Sequence, residues 1–319
     1  ISLGLVGSEM CIRDSNHSVD NMIKANSPKA TIYELRSSIS VLSGDGSTDH
    51  LNNILTADVS KLNNGERVDA LVCDSNGRVK DVLSCFGIDS EIIILGIYEN
   101  MEDTRSLITA GIPWNKNLIL YDAKDALRHC VIHGEDALEL VRLLYPEVSD
   151  VPDQTFVSIG DVIVSKNSAT DSGHIDILYR SDDDSIERRI LEKSIGVGTS
   201  DEWEAVRIRS RLPSAKEVDG TRLPSDIGLG KLVSLNKGCY PGQEIHARLD
   251  SRGSEKKHMI TITSHQPIVL GKTKLEGGLT MEVTSATEYD GGHVALAVAP
   301  KEINKGAVFT LTGLEYKIG

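Results

Sequence analysis

Little in this sequence is aromatic. Phe, Trp and Tyr make up 4% of the 319 residues, too few for a base-stacking surface built from many rings. Cysteine is scarce and awkwardly spaced: Cys11, Cys73, Cys85, Cys130 and Cys239 are odd in number and never form a C-x-x-C pair. Neither a disulfide framework nor a structural zinc ribbon is expected from that usage, and a reducing cytoplasm fits it best. Long apolar runs are missing too. A stretch such as Ile92-Ile93-Ile94-Leu95 is far too short to cross a bilayer, so no membrane partner is expected. Positive charge is in deficit, with 34 Lys and Arg against 47 Asp and Glu and a formal net charge of −13. That balance speaks against direct nucleic-acid binding. Gly196-Val197-Gly198 and Gly228-Leu229-Gly230 lack the third glycine and the strand–turn–helix setting of a dinucleotide fingerprint, and neither a P-loop nor a G-x-S-x-G elbow occurs.

With 39% hydrophobic and 25% charged residues, the chain can bury a real core, and its length allows two domains or three small ones. Residues 1–15 start without Met and carry no basic n-region before a short apolar patch. They are not a credible signal peptide. They resemble translated adapter read-through, so a non-native leader is expected there and Cys11 is set aside with it.

From Asp45 onward the elements are readable. A short helix is expected over Asp49–Leu55, and β-branched strands over Val68–Cys73, Val79–Phe86 and Glu91–Tyr98, with a turn at Ser75-Asn76-Gly77. Asn100 is expected to cap a helix running to Ala110, with Asp103 at its third position. Strands at Asn117–Tyr121 and Leu127–His133, then a helix over Glu135–Leu144, complete the first set. Strands near Asp161–Ser165 and His174–Tyr179 and helices near Asp184–Lys193 and Asp201–Arg209 form a second. Strands and helices mixed without strict β-α-β alternation predict an α+β protein with antiparallel sheets. After Gly253 only short strands between glycine-rich turns remain, over Lys256–Ser264, Leu279–Ser285, His293–Ala299 and Ala307–Leu311. A small terminal β-barrel or sandwich is expected there.

The densest chemistry lies in Lys237-Gly238-Cys239-Tyr240-Pro241-Gly242-Gln243-Glu244 and the following Arg248, Arg252 and Gly253. Two glycines and a proline around a cysteine specify a tight turn. Gly242 can open a helix with Glu244 in its first turn, and Glu244, Arg248 and Arg252 then share one face. Cys239, just ahead of a helix N-terminus and close to Lys237, is placed as a reactive thiol, the alternative being a small hydrophobe in a structural turn. Between Ala205 and Lys257 there are 11 Lys or Arg against 6 Asp or Glu. A positive segment on an acidic protein suits a small anionic ligand better than a long polyanion. His129 and His133 lie four apart without the acidic partner of a metalloprotease motif, so no metal site is expected.

The segment from Lys237 to Gly253 resembles the signature of YgfZ-type folate-binding proteins at ten fixed positions. These proteins are relatives of the glycine-cleavage T-protein, an aminomethyltransferase, and of a mitochondrial factor that matures iron–sulfur proteins. Leu51–Val59 is similar to the family's helix and turn, Cys73–Arg78 to its hairpin, and Gly278–Val298 to its barrel segment. The resemblance runs from about Ser37 to the C-terminus. It implies two intertwined ferredoxin-like α+β units over residues 16–253 and a small β-barrel over 254–319, around a central pocket for tetrahydrofolate or a related reduced pterin.

A pterin needs a carboxylate for its ring donors, apolar walls and cations for its glutamate tail. By resemblance Cys239 supplies a thiol beside that pocket, Lys237 and Arg248 positive charge, and Gly238, Tyr240, Gly242 and Gln243 the turn, with Glu244 capping it. Asp81 aligns with one of the two carboxylates of the transferase relatives, and Lys80 stands at the other. Arg209 replaces the glutamate that grips the ring in the family, with Glu204 one helical turn away as a substitute. The resemblance implies support of iron–sulfur protein assembly or repair, and through it tRNA modification, with iron–sulfur client or assembly proteins as partners. The alternative is a tetrahydrofolate-dependent aminomethyltransferase using Asp81. The motif leaves open whether the chain turns over a substrate.

Overall fold

The computed structural model describes residues 29–167, 173–253, 256–275, 278–303, 308–311 and 314–318. The leader expected over residues 1–15, with Cys11, lies outside the described residues. Three sheets organise the rest, and every pairing between their strands is antiparallel.

The first sheet has the order β3-β4-β5-β2-β6, with β2 at Ser37–Ser43, β3 at Arg67–Cys73, β4 at Val79–Ile88, β5 at Glu91–Ile97 and β6 at Ile119–Asp122. The second, β1-β7-β10-β9-β8, is built from β1 at Ala30–Leu35, β7 at Leu127–Gly134, β8 at Phe156–Ile159, β9 at Val162–Asn167 and β10 at His174–Arg180. Arg36 alone separates β1 from β2, yet the two strands belong to different sheets. The third sheet is β12-β13-β14-β11-β16-β15, from β11 at Lys257–Ser264, β12 at Gly271–Lys274, β13 at Thr280–Tyr289, β14 at Gly292–Pro300, β15 at Val308–Leu311 and β16 at Leu314–Ile318.

Helices cover the sheets where the apolar pattern demands it. Helices α1 (Ser47–Asn52) and α2 (Met101–Ala110) lie on the first sheet, where Leu51, Leu55 and Ile108 meet Leu42, Leu83 and Ile94. Helices α3 (Ala137–Leu144) and α4 (Ser185–Glu192) cover the second, through Leu140, Leu144 and Ile186. The opposite faces of these two sheets meet, with Phe86, Ile93 and Leu95 packed on Ile163 and Leu178. Helix α5 (Ser200–Arg209) brings Ala205 and Ile208 against Leu296 and Val298 of the third sheet. Its start is a reciprocal cap in which Thr199 Oγ1 accepts the Glu202 N–H and the Glu202 carboxylate accepts the Thr199 N–H.

Asn100 departs from the expected cap. It closes a 3-10 turn, and its side-chain amide donates to the Lys80 and Val218 carbonyls rather than to the helix. Strands β1, β2, β8, β12 and β16 were not anticipated by the sequence reading. Strand β2 (SSISVLS) shows why: Ser38 and Ser40 are buried along with Ile39 and Leu42, Ser40 accepting a bond from Arg105, so the buried positions are not marked by apolar residues alone.

Candidate functional site at the cysteine turn

The glycines of the turn are required by a close backbone approach. Gly242 sits at φ +85° as N-cap of helix α6 (Gln243–Arg252). A Cβ there would lie 2.5 Å from Gly77 Cα and 2.7 Å from the Asp74 carbonyl oxygen. The cysteine turn is thus pressed onto the Cys73–Arg78 hairpin, whose Asp74 carboxylate accepts the N–H groups of Asn76 and Arg78. His246 completes the seam. Burial lowers its pKa and keeps the ring neutral, so Nε2–H donates to the Gly77 carbonyl at 2.9 Å and Nδ1 faces the Tyr240 hydroxyl at 3.3 Å. Two segments that carry the sequence resemblance therefore form one packed unit.

Lys237 is held by backbone. Its ammonium donates to the carbonyls of Asn52, Leu55 and Ala57 at 2.6, 2.6 and 2.8 Å, closing the C-terminal end of α1, where backbone acceptors lack helical partners. Burial pulls it down to about 8. Tyr240 is buried beneath it, with the ammonium 5.3 Å from the ring centroid. The Gln243 amide donates to the Lys237 carbonyl at 3.5 Å. Gly238 and Cys239 are exposed, as are Glu244, Arg248 and Arg252 along one face of α6. Glu244 makes no cap bond, contrary to its expected role. Among the described cysteines only Cys239 is exposed; burial pushes the Cys73 and Cys85 thiols up to about 12 and Cys130 to about 11.

Behind the turn lies a cavity of about 470 Å³ lined by Pro241, with Asp49, Ile54, Leu107, Leu118 and Lys116 among its walls. Carboxylate, aliphatic surface and ammonium are the three features a reduced pterin with an anionic tail requires. Asp81 is not there. It is fully buried under α2, where Thr104 Oγ1 donates to it at 2.6 Å and the N–H groups of Val82 and Ile97 follow at 2.8 and 3.2 Å. Burial raises its pKa to about 7 against the pull of those bonds. Glu204 is paired with Arg207 at 2.5 Å and with Lys216, which lowers its pKa despite partial burial. Arg209 is exposed, stacks 4.4 Å from the Tyr289 ring and donates to its hydroxyl, lining a shallow hollow with His133. The structure thus brings Lys237, Gly238, Tyr240, Gly242 and Gln243 together around Cys239, and leaves Asp81, Glu204 and Arg209 apart from the Pro241 cavity.

Sequence reasoning missed two buried ionic networks. Between the first two sheets, Arg67 donates to Asp69, Asp176, Ser84 and Ser165, while Asp176 also accepts from His129 and Asn167. The second joins Arg207 to Glu204, Glu217 and Ser285, tying α5 to β13. Charged residues inside otherwise β-branched strands were the available signal. His129, bonded to Ser37 and Asp176, and His133, bonded to Ser210, take part in side-chain pairing, and among the described residues no cluster of three metal-ligating side chains occurs. Nor is any described helix long and apolar enough to cross a membrane.

No family model matches the chain. A solved aminomethyltransferase T of the glycine cleavage system from Bartonella henselae superposes with TM-score 0.72 at 14% identity, over 93% of this chain and 87% of that one. The fold is that of the aminomethyltransferases. In sequence, the chain is 26% identical over 277 residues to the tRNA-modifying protein YgfZ of Klebsiella pneumoniae (strain 342), covering 82% of this chain and 81% of that protein. It is 24% identical over 225 residues to an aminomethyltransferase of Alkaliphilus oremlandii (strain OhILAs), covering 64% and 59%. In sequence the chain is thus similar to YgfZ-type proteins and to aminomethyltransferases alike.

Proposed function

We propose that this chain is a cytoplasmic tetrahydrofolate-type cofactor-binding protein that supports iron–sulfur protein assembly or repair, and tRNA modification through it. Residues 16–253 serve in this reading as two interleaved ferredoxin-like units and residues 254–319 as a small barrel. One observation carries it: the turn bearing the exposed Cys239 is locked by Gly242 onto the Gly77 hairpin, directly beside the Pro241 cavity. Asp49 would hold the ring donors and Lys116 the tail, and Cys239 supplies a thiol at the same turn. The ring grip expected from Glu204 does not fit, because its carboxylate is committed to Arg207. A transferase chemistry at Asp81 is disfavoured by the same kind of fact, since that carboxyl is sealed under α2.

Calorimetric titration with tetrahydrofolate tests the assignment. Wild type should give saturable heat, Asp49→Asn should weaken binding about tenfold, and Arg209→Glu should leave it unchanged. Tightening by Arg209→Glu would move the ring to the Arg209 hollow, and absence of heat in wild type would remove the cofactor.

A further inference from the structure

Helix α6 has a second face, which the cysteine turn meets only through His246. His246, Leu249, Asp250 and Gly253, spaced i, i+3, i+4, i+7, line a cavity of about 600 Å³. Its other walls come from Leu223, Pro224, Val233 and Leu235, from Arg78 on the hairpin, and from Lys256 and Lys257 at the entry to β11. Glu244, Arg248 and Arg252 do not line it, nor does Cys239.

The deep part of this cavity offers hydrocarbon and few free polar groups. Pro224, Asp226 and His246 are its buried residues. Both ring nitrogens of His246 are engaged, with Gly77 and Tyr240, and Asp226 accepts the Leu223 N–H at 3.1 Å. Leu223, Val233, Leu235 and Leu249 supply aliphatic surface around them. The rim is different. Lys256 and Lys257 are exposed and Arg78 is half-buried, and none of the three has a carboxylate within salt-bridge distance among the described residues. Arg78 donates to the Thr221 carbonyl alone. On a chain of net charge −13, three cations at one mouth, none in a salt bridge among the described residues, outnumber Asp250 on the rim and the buried Asp226 and make a local anion-attracting field.

We propose that this cavity is a second ligand site, separate from the cysteine turn, and that it takes an aliphatic carboxylate, the chain lying against Leu223, Val233, Leu235 and Leu249 and the headgroup meeting Lys256, Lys257 and Arg78. Aliphatic floor and cationic rim together select this class. An uncharged alcohol of the same length lacks the headgroup, and inorganic phosphate lacks the chain.

The test is calorimetry on the full chain with decanoate, decanol and inorganic phosphate as probes. Decanoate should bind saturably, at least tenfold more tightly than decanol, and phosphate should give no saturable heat. Lys256→Glu combined with Lys257→Glu, both on the surface and safe for folding, should weaken decanoate about tenfold. Leu249→Trp, which fills the cavity, should abolish binding while the circular dichroism spectrum is kept. Cys239→Ser should leave decanoate affinity unchanged. Equal affinity for decanol and decanoate, or decanoate binding indifferent to the lysine pair, overturns the carboxylate class. Displacement of decanoate by tetrahydrofolate overturns the separateness of the site, whereas failure of folate binding alone leaves this proposal standing and removes only the cofactor reading.

Discussion

At Gly242 two separate constraints fall on one Cα. The backbone stands at φ +85°, where an L side chain is strained, and a Cβ would meet Gly77 Cα at 2.5 Å. Neither neighbour can yield, because both contacts are backbone. Gly242→Ala should therefore cost roughly 1–3 kcal/mol, seen as a lower urea midpoint, and should speed alkylation of Cys239 by iodoacetamide as the turn lifts from the hairpin. An alanine variant as stable as wild type would show that the two segments are not pressed together. The same residue illustrates what a sequence reveals. The turn and its glycines were legible because a tight bend has few chemical solutions. The partner of the bend was not, since nothing in Lys237–Glu244 says that Gly77 lies opposite. The partners of Lys237 were hidden for a related reason. A lysine beside a cysteine looks like free charge until the three carbonyls around its ammonium are known.

Elements were legible in proportion to how far their residues repeat. The apolar strands β3, β4 and β5 and the helices α2 to α5 were expected close to where they lie, whereas β2, with serines at buried positions, carried too weak a pattern. Asp81 belongs to this scale, because its environment is set by packing of α2 on β4. Gly96 on β5 leaves the room, as a Cβ there would lie 3.0 Å from the Asp81 carboxylate. Burial raises this carboxyl to about 7, so the folded chain keeps a proton that the unfolded chain has released above about pH 4. Between those values the native state binds more protons, and stability falls as pH rises. Asn at this position can accept the Val82 and Ile97 N–H groups without ionising. Asp81→Asn should therefore gain on wild type across pH 4 to 7, by at most about 1.4 kcal/mol per unit, and level off above. Urea curves measured at unit steps check it, and a pH-independent difference between the two proteins would contradict the assignment.

The whole molecule depends on how its sheets are joined. Apolar contact between the first two sheets is supplied by Phe86, Ile93, Ile163 and Leu178, but at one place it gives way to Arg67, which is 1% exposed and reaches four side chains. Asp69 and Ser84 come from its own sheet, Asp176 and Ser165 from the other, so a single guanidinium spans the interface. Asp176 is held well below the ordinary carboxylate range: burial acts to raise it, and the charge of Arg67 and bonds from the histidines outweigh that cost. An ion pair of this sort contributes little net stability compared with an apolar replacement of both partners. Removing one partner is another matter, since it strands the second charge without water. Arg67→Met should thus cost about 3–5 kcal/mol, while Arg67→Met combined with Asp69→Asn and Asp176→Asn should recover much of that loss. The denaturant m-value reports whether the sheets still unfold together. If the single variant keeps wild-type stability, the charge is not sealed between the sheets and the two units are joined by hydrocarbon alone. If the triple variant is no better than the single, what the interface needs from Arg67 is its shape and its hydrogen bonds rather than its charge.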